Sequence, residues 1–489
     1  MPRARPSSLL LVVVFIFLLL VLAPGGSLAC DDRLAGSEGI GDPYFPSAGN
    51  GGYDALHYEI ALAVDPVAGT VVGSVTIESR AVQGLDSFAL DFSGLEIESV
   101  RVGGLPAEYR RKGQELIVEC PDRLATGETF ATEVAYSGKP VPQEDSDTLS
   151  VGWQQVGDAI YTLDEPQGAA TWFPVNDHPS DKATYVFRIT VPKPYVAAAN
   201  GVLVKTEAKG ADQTFVWEMR QPLASYLAAV TIGKYEVQEM TAPNGVPIRN
   251  YFAPEVAEAA EAAFARTGEV MTFYADLFGA YPFEAYGVVV PDVDTGAAME
   301  NQTLALFGRD VLVKRMSDPI LGAVYLSHEL AHQWFGNSVT ITRWKDIWLN
   351  EGFATYASWL WLEYDQGREM LDEQVRQSLG VLSSEKQPPP GDPGAEDLFG
   401  ASVYRRGALT LHALRLTVGD DTFFRILRAW ASRHRHGNVW TEDFIALAEE
   451  EAQFLPGTDL AGLFETWLYG EGTPGLPVTN GVAIGGTTS

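Results

Sequence analysis

Two patterns of apolar and polar positions divide the chain. From Tyr53 to about residue 240, short runs alternate apolar and polar residues, as in His57–Val64 and Val71–Ile77, and Gly, Pro and Asp interrupt them. Alternation with a period of two places the apolar side chains on one face of a strand. Residues 53–240 are therefore predicted to form an antiparallel β domain.

Beyond residue 254 the apolar positions recur every three to four residues. The segments Glu255–Leu277, Ile320–Phe335 and Ile347–Tyr364 show this spacing, which puts apolar side chains on one face of a helix. We assign residues 241–472 to a second, mainly α domain. The predicted fold class is α+β multidomain.

The N-terminus resembles an export signal. Residues 1–29 contain Arg3 and Arg5, no acid, and an unbroken apolar run from Leu9 to Ala23. Such a run is shorter than the roughly 20 residues that span a bilayer. A basic start, a short apolar run and small residues before Cys30 are typical of a secretory signal peptide.

The cysteines leave three interpretations of the exported chain open. Cys30, at the first mature position, resembles the lipidated cysteine of bacterial lipoproteins; plain secretion, with a possible bridge to Cys120, and an uncleaved signal anchor are the alternatives. Each predicts a location outside the cytoplasm, as a cell-surface lipoprotein or a secreted or periplasmic protein. Residues 30–52, rich in Gly, Ser, Pro and Asp, predict a linker or tether, and residues 473–489 a flexible tail.

The composition excludes several classes of protein. Hydrophobic residues make up 46% of 489 residues, which fits a globular protein and not a disordered one. The net charge of -30 would repel a phosphate backbone, so nucleic acid is not an expected partner. Two cysteines are too few for a disulfide scaffold or a cysteine-based metal cluster.

The chemistry concentrates in the motif His328-Glu329-Leu330-Ala331-His332. On a helix it places two imidazoles on one face with a glutamate beside them, which is the arrangement of a zinc site. Chance gives on the order of 0.01 such motifs in a chain of this composition. Glu351 follows His332 after 18 intervening residues. A chain reversal near residues 343–346 and a second helix would bring it to the metal as a third ligand.

The chain resembles the aminopeptidase N family of zinc metallopeptidases, peptidase family M1, in three features taken together. These are the His-Glu-x-x-His motif, the 18-residue gap before Glu351, and the sequence around that glutamate, Trp348-Leu349-Asn350-Glu351-Gly352-Phe353. Ala297-Ala298-Met299-Glu300-Asn301 is similar to that family's Gly-Ala-Met-Glu-Asn segment, with Ala297 in place of the first Gly. The resemblance implies that this segment binds substrate, with Glu300 gripping the free α-amine.

Two further segments share the resemblance. Val403-Tyr404-Arg405-Arg406-Gly407 is similar to the tyrosine motif of the family, with Arg406 in place of the usual Lys. It implies that Tyr404 stabilises the tetrahedral intermediate. Glu165-Pro166 and the segment Phe173–Ala183 resemble the part of the N-terminal domain that sends a second residue, here Glu165, into the amine pocket.

The resemblance covers roughly residues 53–475. It implies a β saddle domain, related to a sandwich, followed by a thermolysin-like catalytic domain. Full-length members continue with a β sandwich and a large helical domain that covers the active site. We therefore expect a short, bacterial-type member without that helical domain, and a more open cleft.

The expected function is hydrolysis of the N-terminal peptide bond of peptides with a free N-terminus, with one Zn²⁺ per chain held by His328, His332 and Glu351. Glu329 would act as the base and Tyr404 would share the oxyanion with zinc. A zinc endopeptidase and a catalytically inactive peptide-binding scaffold of the same fold stay open as alternatives. An epoxide hydrolase activity, known from one branch of the family, has no supporting motif here. The other histidines are expected to be structural or solvated.

Overall fold

The alternating segments of the first half form strands. The computed structural model describes residues 34–144, 150–384 and 386–477. Its strands before residue 235 are β1 (Tyr53–Asp65), β2 (Thr70–Ala81), β3 (Leu85–Asp91), β4 (Glu96–Val102), β5 (Leu105–Pro106), β6 (Tyr109–Lys112), β7 (Glu115–Leu124), β8 (Thr129–Gly138), β9 (Gln143–Glu144), β10 (Ser150–Val156), β11 (Ala159–Leu163), β12 (Ala183–Pro192), β13 (Val196–Ala199), β14 (Val202–Lys209), β15 (Asp212–Leu223) and β16 (Val230–Gly233).

These strands form three sheets. The largest has the order β14-β15-β12-β1-β2-β8-β4-β5, and the others are β13-β16-β11-β10-β9 and β3-β7-β6. Tyr58, Ile60 and Leu62 of β1 are buried while the residues between them are not, as alternation predicts. The strand pairing in these three sheets is antiparallel except for β1 with β12, which run parallel and are joined by the long chain that forms β2 to β11.

The second half joins helices to a mixed sheet. Its strands are β17 (Glu236–Thr241), β18 (Pro247–Phe252), β19 (Val288–Val290), β20 (Ala298–Met299), β21 (Ala305–Phe307), β22 (Thr340–Ile341) and β23 (Asn438–Val439). Its helices are α1 (Ala257–Phe264), α2 (Thr267–Phe278), α3 (Pro319–Ala331), α4 (Trp348–Gln366), α5 (Arg368–Ser384), α6 (Gly407–Val418), α7 (Asp420–Arg433), α8 (Thr441–Ala452) and α9 (Leu460–Phe464). The helix predicted over 255–277 is thus divided into α1 and α2.

One sheet of the second domain carries part of the segment Ala297–Asn301, which we expect from the sequence to bind substrate. Its order is β17-β18-β19-β21-β20, so β20 is an edge strand, paired antiparallel to β21 through Met299 and Leu306. An edge strand leaves one side of its backbone available for pairing with an extended peptide. β17 pairs with β18, so this sheet crosses the boundary predicted at residue 241.

Residues 34–52, which we expected to form a tether, are packed on the body of the protein instead. Asp42 is buried, its Oδ2 accepts a hydrogen bond of 2.9 Å from the backbone N–H of Trp344, and it lies 3.2 Å from His178 Nε2. The Tyr44 hydroxyl donates to Asp392 and accepts from the backbone N–H of Gly394. The Gly- and Ser-rich composition suggested freedom, but buried polar contacts to both domains fix the segment.

Several predictions about the termini concern residues outside the described ranges. The signal segment 1–29, Cys30 and the end of the tail beyond residue 477 belong to this group. Cys120 is half-buried on β7, where burial raises the pKa of its thiol to about 12. None of the described helices is long and apolar enough to cross a bilayer.

Candidate active site and metal centre

The two histidines of the central motif stand on α3. Asp318 caps this helix, because its carboxylate accepts from the backbone N–H groups of Ile320 and Leu321, and Pro319 occupies the first turn. The helical backbone reaches the cap residue His332, so the two imidazoles lie on one face. Their Nε2 atoms are 3.1 Å apart.

Glu351 joins the histidines from the first turn of α4. The chain reverses at β22 and at a short turn, Trp344–Asp346, where the sequence predicted a reversal, and α4 begins at Trp348. Glu351 Oε2 lies 3.2 Å from His328 Nε2 and 3.5 Å from His332 Nε2. Three potential ligand atoms from two helices therefore form a small triangle.

The triangle has the size that a tetrahedral zinc ion requires. Ligands at 2.0–2.1 Å from zinc are about 3.3 Å from one another in tetrahedral geometry, and the three edges here are 3.1, 3.2 and 3.5 Å. His332 Nδ1 donates to the backbone carbonyl of Phe335 at 3.2 Å, which directs its Nε2 lone pair to the centre of the triangle. The residues fit the metal.

The electric field of the pocket also favours a cation. Burial disfavours a charged His332, but the carboxylates of Glu300 and Glu351 outweigh it and raise its pKa to about 10. Burial likewise disfavours an ionised Glu351, yet the two histidines lower its pKa to about 2.

Glu329 lies next to the triangle without belonging to it. Carboxylate oxygens of Glu329 and Glu300 lie with a ring nitrogen of His332 within 4.8 Å of one another. Burial raises the pKa of Glu329 well above its ordinary value. The charge of His332 opposes this shift, and the charges of Glu300 and Glu351 add to it. A carboxylate that holds a proton readily is suited to proton transfer.

Glu300 follows edge strand β20 and is held through its backbone. Its carbonyl accepts from Gln333 Nε2 at 3.1 Å and from Asn337 Nδ2 at 2.8 Å. Its carboxylate is buried, and Oε1 has no hydrogen-bond donor among the described residues. Burial raises the pKa of this carboxyl.

Glu165 brings the N-terminal domain into the site. Carboxylate oxygens of Glu165, Glu300 and Glu351 lie within 4.8 Å of one another. Three carboxylates at this spacing repel one another unless positive charge lies among them. The site therefore suits a small cation, such as an ammonium group, beside the metal triangle.

Tyr404 stands on the other side of His328. It lies in a π-helical turn, Ser402–Arg406, that leads into α6, and its ring stacks on that of His328 with centroids 6.0 Å apart. Burial, with the charges of Glu351 and Glu165, raises the pKa of its phenol well above the ordinary value. The hydroxyl therefore stays protonated and can donate a hydrogen bond.

The remaining predicted residues fall into two groups. Ala297 and Ala298 line the cavity, whereas Met299 and Asn301 are 3% and 2% exposed and lie outside its lining. The cavity measures about 960 Å³, and its lining includes all of the following predicted residues: Glu165, Ala297, Ala298, Glu300, His328, Glu329, His332, Glu351 and Tyr404.

The structure adds residues that the sequence did not reveal. Gln333 and Asn337 hold Glu300; Gln333 is one turn after Glu329, a spacing that hinted at a shared face. Lys182 is half-buried, desolvation lowers the pKa of its ammonium to about 7, and the ammonium donates to the carbonyls of Asn337 and Ser338 at 2.9 and 3.1 Å. Tyr226, from the N-terminal domain, accepts from Asn350 Nδ2 at 3.3 Å.

Comparisons with known proteins agree with this site. The peptidase M1 N-terminal domain model matches residues 54–227, and the peptidase family M1 domain model matches residues 262–467. Aminopeptidase M1-A of Oryza sativa subsp. japonica is 30% identical over 63% of this chain and 37% of its own length. Bovine glutamyl aminopeptidase is 26% identical over 87% of this chain and 47% of its own length. The chain thus spans about a third to a half of these relatives.

Solved structures match over the whole of their length. The M1 zinc metallopeptidase from Deinococcus radiodurans is 32% identical, with a TM-score of 0.83, over 91% of this chain and 100% of that one. A mutant of the same protein, described with a Tyr-Ser-Ala substrate bound, is 30% identical with a TM-score of 0.80 over 90% and 100% of the two chains. By the agreement of both domains, the motifs and the metal triangle, the chain belongs to peptidase family M1, the M1 zinc metallopeptidases.

Proposed function

We propose that the protein is a zinc-dependent aminopeptidase that removes the first residue of peptides. The observation that carries this proposal is the cluster of Glu165 and Glu300 within 4.8 Å of Glu351, a member of the metal triangle. Paired carboxylates bind an α-ammonium by charge-assisted hydrogen bonds. An ammonium bound there places the first peptide bond, and no later one, at the metal.

His328, His332 and Glu351 would hold one Zn²⁺. When bound, zinc polarises the scissile carbonyl and activates water at neutral pH. Glu329 accepts the proton of the attacking water and passes it to the leaving amine. The Tyr404 hydroxyl donates a hydrogen bond to the oxygen that becomes negative, and the edge of β20 pairs with the backbone of the peptide.

The alternatives make different demands on the same site. An endopeptidase must bind peptide residues on both sides of the scissile bond. In the proposed binding mode, Glu165 and the buried Glu300 stand where residues preceding the first residue of the substrate would have to lie. A catalytically inactive scaffold would not need a buried Glu329 beside a complete set of metal ligands, and burial of an ionisable side chain costs stability. The solved relatives bound to Tyr-Ser-Ala, L-arginine and L-tryptophan also favour an exopeptidase site.

We further propose that the chain is exported and anchored in a membrane through a lipid on Cys30. The basic residues, apolar run and small residues of segment 1–29 support export, and the cysteine that follows supports lipidation.

Glu329→Gln should keep zinc and fold but lower kcat by about 10² to 10⁴, because the proton acceptor is lost while the ligands are unchanged. The measurement is turnover of Leu-p-nitroanilide together with zinc content, before and after chelation and zinc restoration. Glu449→Gln, at an exposed residue of α8, is the matched control. Turnover of Glu329→Gln equal to that of the control would exclude the assigned base.

Tyr404→Phe should lower kcat by roughly 10² to 10³ with little change in KM, since the hydroxyl contacts the oxyanion only as it forms. Steady-state kinetics on the same substrate test this. Tyr364→Phe, at a tyrosine of α4 that is 64% exposed, serves as the control. An unchanged kcat would assign Tyr404 a packing role alone.

N-acetylated peptides should be almost inert, because the cap removes the charge that Glu165 and Glu300 bind and leaves the buried Glu300 carboxylate without a cation. Glu300→Ala should lower kcat/KM on free peptides and narrow the preference for free over capped ends. Both substrates are compared on wild type, Glu300→Ala and Glu449→Ala. If wild type cleaves capped peptides as fast as free ones, or cuts an internal bond, the endopeptidase alternative replaces this proposal.

Export and lipidation can be tested in cells with an alkyne-tagged fatty acid that labels lipoproteins. Wild type and Cys120→Ser should carry the label and enter the detergent phase, whereas Cys30→Ser should do neither, because the thiol that accepts the lipid is gone. Unlabelled wild-type protein, or a label that persists in Cys30→Ser, would contradict the anchor.

A further inference from the structure

The segment 34–52 contacts the catalytic domain at the turn that precedes the third metal ligand. It lies ahead of the residues that the M1 N-terminal domain model matches, which begin at residue 54. Asp42 of this segment is 4% exposed, and its Oδ2 accepts from the backbone N–H of Trp344 at 2.9 Å. Trp344 is the first residue of the turn Trp344–Asp346, and α4, which carries Glu351, follows directly.

Backbone hydrogen bonds continue from this contact to the metal ligand. The carbonyl of Trp344 accepts from the N–H of Ile347 at 3.1 Å, and the carbonyl of Ile347 accepts from the N–H of Glu351 at 3.0 Å. All three residues are buried. Because each buried peptide group is fixed by the next, the position of Trp344 sets the position of the Glu351 backbone.

The turn and α4 need an acceptor from elsewhere in the chain. The N–H groups at the start of a helix have no partner within it, and side chains at the cap position usually supply one. Here the cap positions of the turn and of α4 are Arg343 and Ile347, whose side chains have no acceptor to offer. Asp42 supplies a carboxylate instead, which the dipole of the following helix also favours.

The Asp42 carboxylate is itself fixed and charged. Its Oδ1 accepts from the backbone N–H groups of Tyr44 and Phe45 at 2.8 and 3.0 Å, and its Oδ2 lies 3.2 Å from His178 Nε2. Burial raises the pKa of Asp42, but hydrogen bonds from His178 and from backbone N–H groups outweigh burial and lower it. Asp42 is therefore an ionised acceptor with a single available position.

Aromatic packing supports the same turn. The buried Trp344 ring meets Phe45 of the segment edge to face, with centroids 5.9 Å apart, and Tyr226 on the N-terminal domain at 5.2 Å. The hydroxyl of Tyr226 accepts from Asn350, the residue before Glu351. Hydrogen bonding and packing thus both connect the segment to the first turn of α4.

We propose that Asp42 and Phe45 are positioning residues of the metal site, which fix the turn Trp344–Asp346 and through it Glu351. The segment 34–52 is then part of the scaffold of the active site. The inference rests on the zinc site of the proposed function. Contacts that orient metal ligands typically change metal affinity by about 10- to 100-fold when they are removed.

The zinc affinity of the metal-free full chain tests the proposal. Asp42→Ala should bind zinc about 10-fold more weakly than wild type in a competition titration with a chelating dye, because Glu351 is no longer held in place. Phe45→Ala, at a half-buried residue, leaves no polar group unpaired and should weaken zinc binding in the same direction. This second variant decides the matter if Asp42→Ala does not fold.

Tyr53→Phe is the matched control. It removes one buried hydrogen bond, from the Tyr53 hydroxyl to the carbonyl of Ala89 at 2.9 Å, on strands away from the turn. It should lower the melting temperature without changing zinc affinity. Titrations are made at a temperature where thermal melts show every compared variant to be folded. If the folded Asp42 and Phe45 variants bind zinc as tightly as this control, the proposal is overturned.

Hydrogen exchange locates the effect in the chain. In both variants the amides of residues 343–351 should exchange several-fold faster than in wild type, because the turn has lost its contacts with the segment. Amides of α7 should be unchanged. Faster exchange throughout the chain, with no excess at the turn, would mean general destabilisation and would overturn the positioning role.

Turnover keeps this inference distinct from the proposed function. On Leu-p-nitroanilide, Asp42→Ala should lose kcat at limiting zinc and keep a KM close to that of wild type, because Asp42 does not line the cavity that holds Glu165 and Glu300. If wild type does not cleave this substrate, the aminopeptidase proposal fails, whereas weaker zinc binding by the two variants still supports the positioning role. A raised KM with unchanged zinc affinity would overturn it.

Discussion

Mutual repulsion among buried carboxylates governs the architecture of the site. Glu165, Glu300, Glu329 and Glu351 line one cavity, and at this depth water screens their charges poorly. Such a cluster is stable only when cations or protons compensate it. Glu351 is compensated by the two histidines, and burial together with the neighbouring carboxylates raises the pKa of Glu329. Glu300, whose Oε1 has no hydrogen-bond donor among the described residues, leaves a place for positive charge that a substrate can supply.

The scaffold fixes these groups through backbone contacts from several directions. Gln333 and Asn337, which follow the metal helix in the chain, donate to the carbonyl of Glu300, so hydrogen bonds tie the segment that carries Glu300 to the segment that carries His328 and His332. Lys182, a half-buried residue of the N-terminal domain, donates to the carbonyl of Asn337 and so holds the loop that carries it. Positional precision of this kind is what catalysis by orientation requires.

The sequence predicted what is local and missed what depends on packing. His328 and His332 are four residues apart on a helix, so their proximity follows from helical geometry alone. The need for a third zinc ligand pointed to Glu351, and the resemblance of short motifs to a family identified Glu300 and Tyr404. β1 pairs with β12, and Lys182 donates to the carbonyl of Asn337; both contacts join segments that are far apart in the chain. The periodicity of apolar positions carries no information about such contacts. The prediction of a tether over residues 34–52 was wrong because a glycine-rich composition does not reveal specific buried contacts, such as the hydrogen bond from the backbone N–H of Trp344 to Asp42.

The pair of neighbouring carboxylates is divided between the domains, with Glu165 on one and Glu300 on the other. Any cation that contacts both carboxylates therefore links the two halves of the molecule. By thermodynamic linkage, such a ligand must favour the docked arrangement of the domains to the same extent that docking favours the ligand. In this protein of 489 residues, binding of a small peptide in the cleft and docking of the two domains therefore stabilise each other by the same free energy.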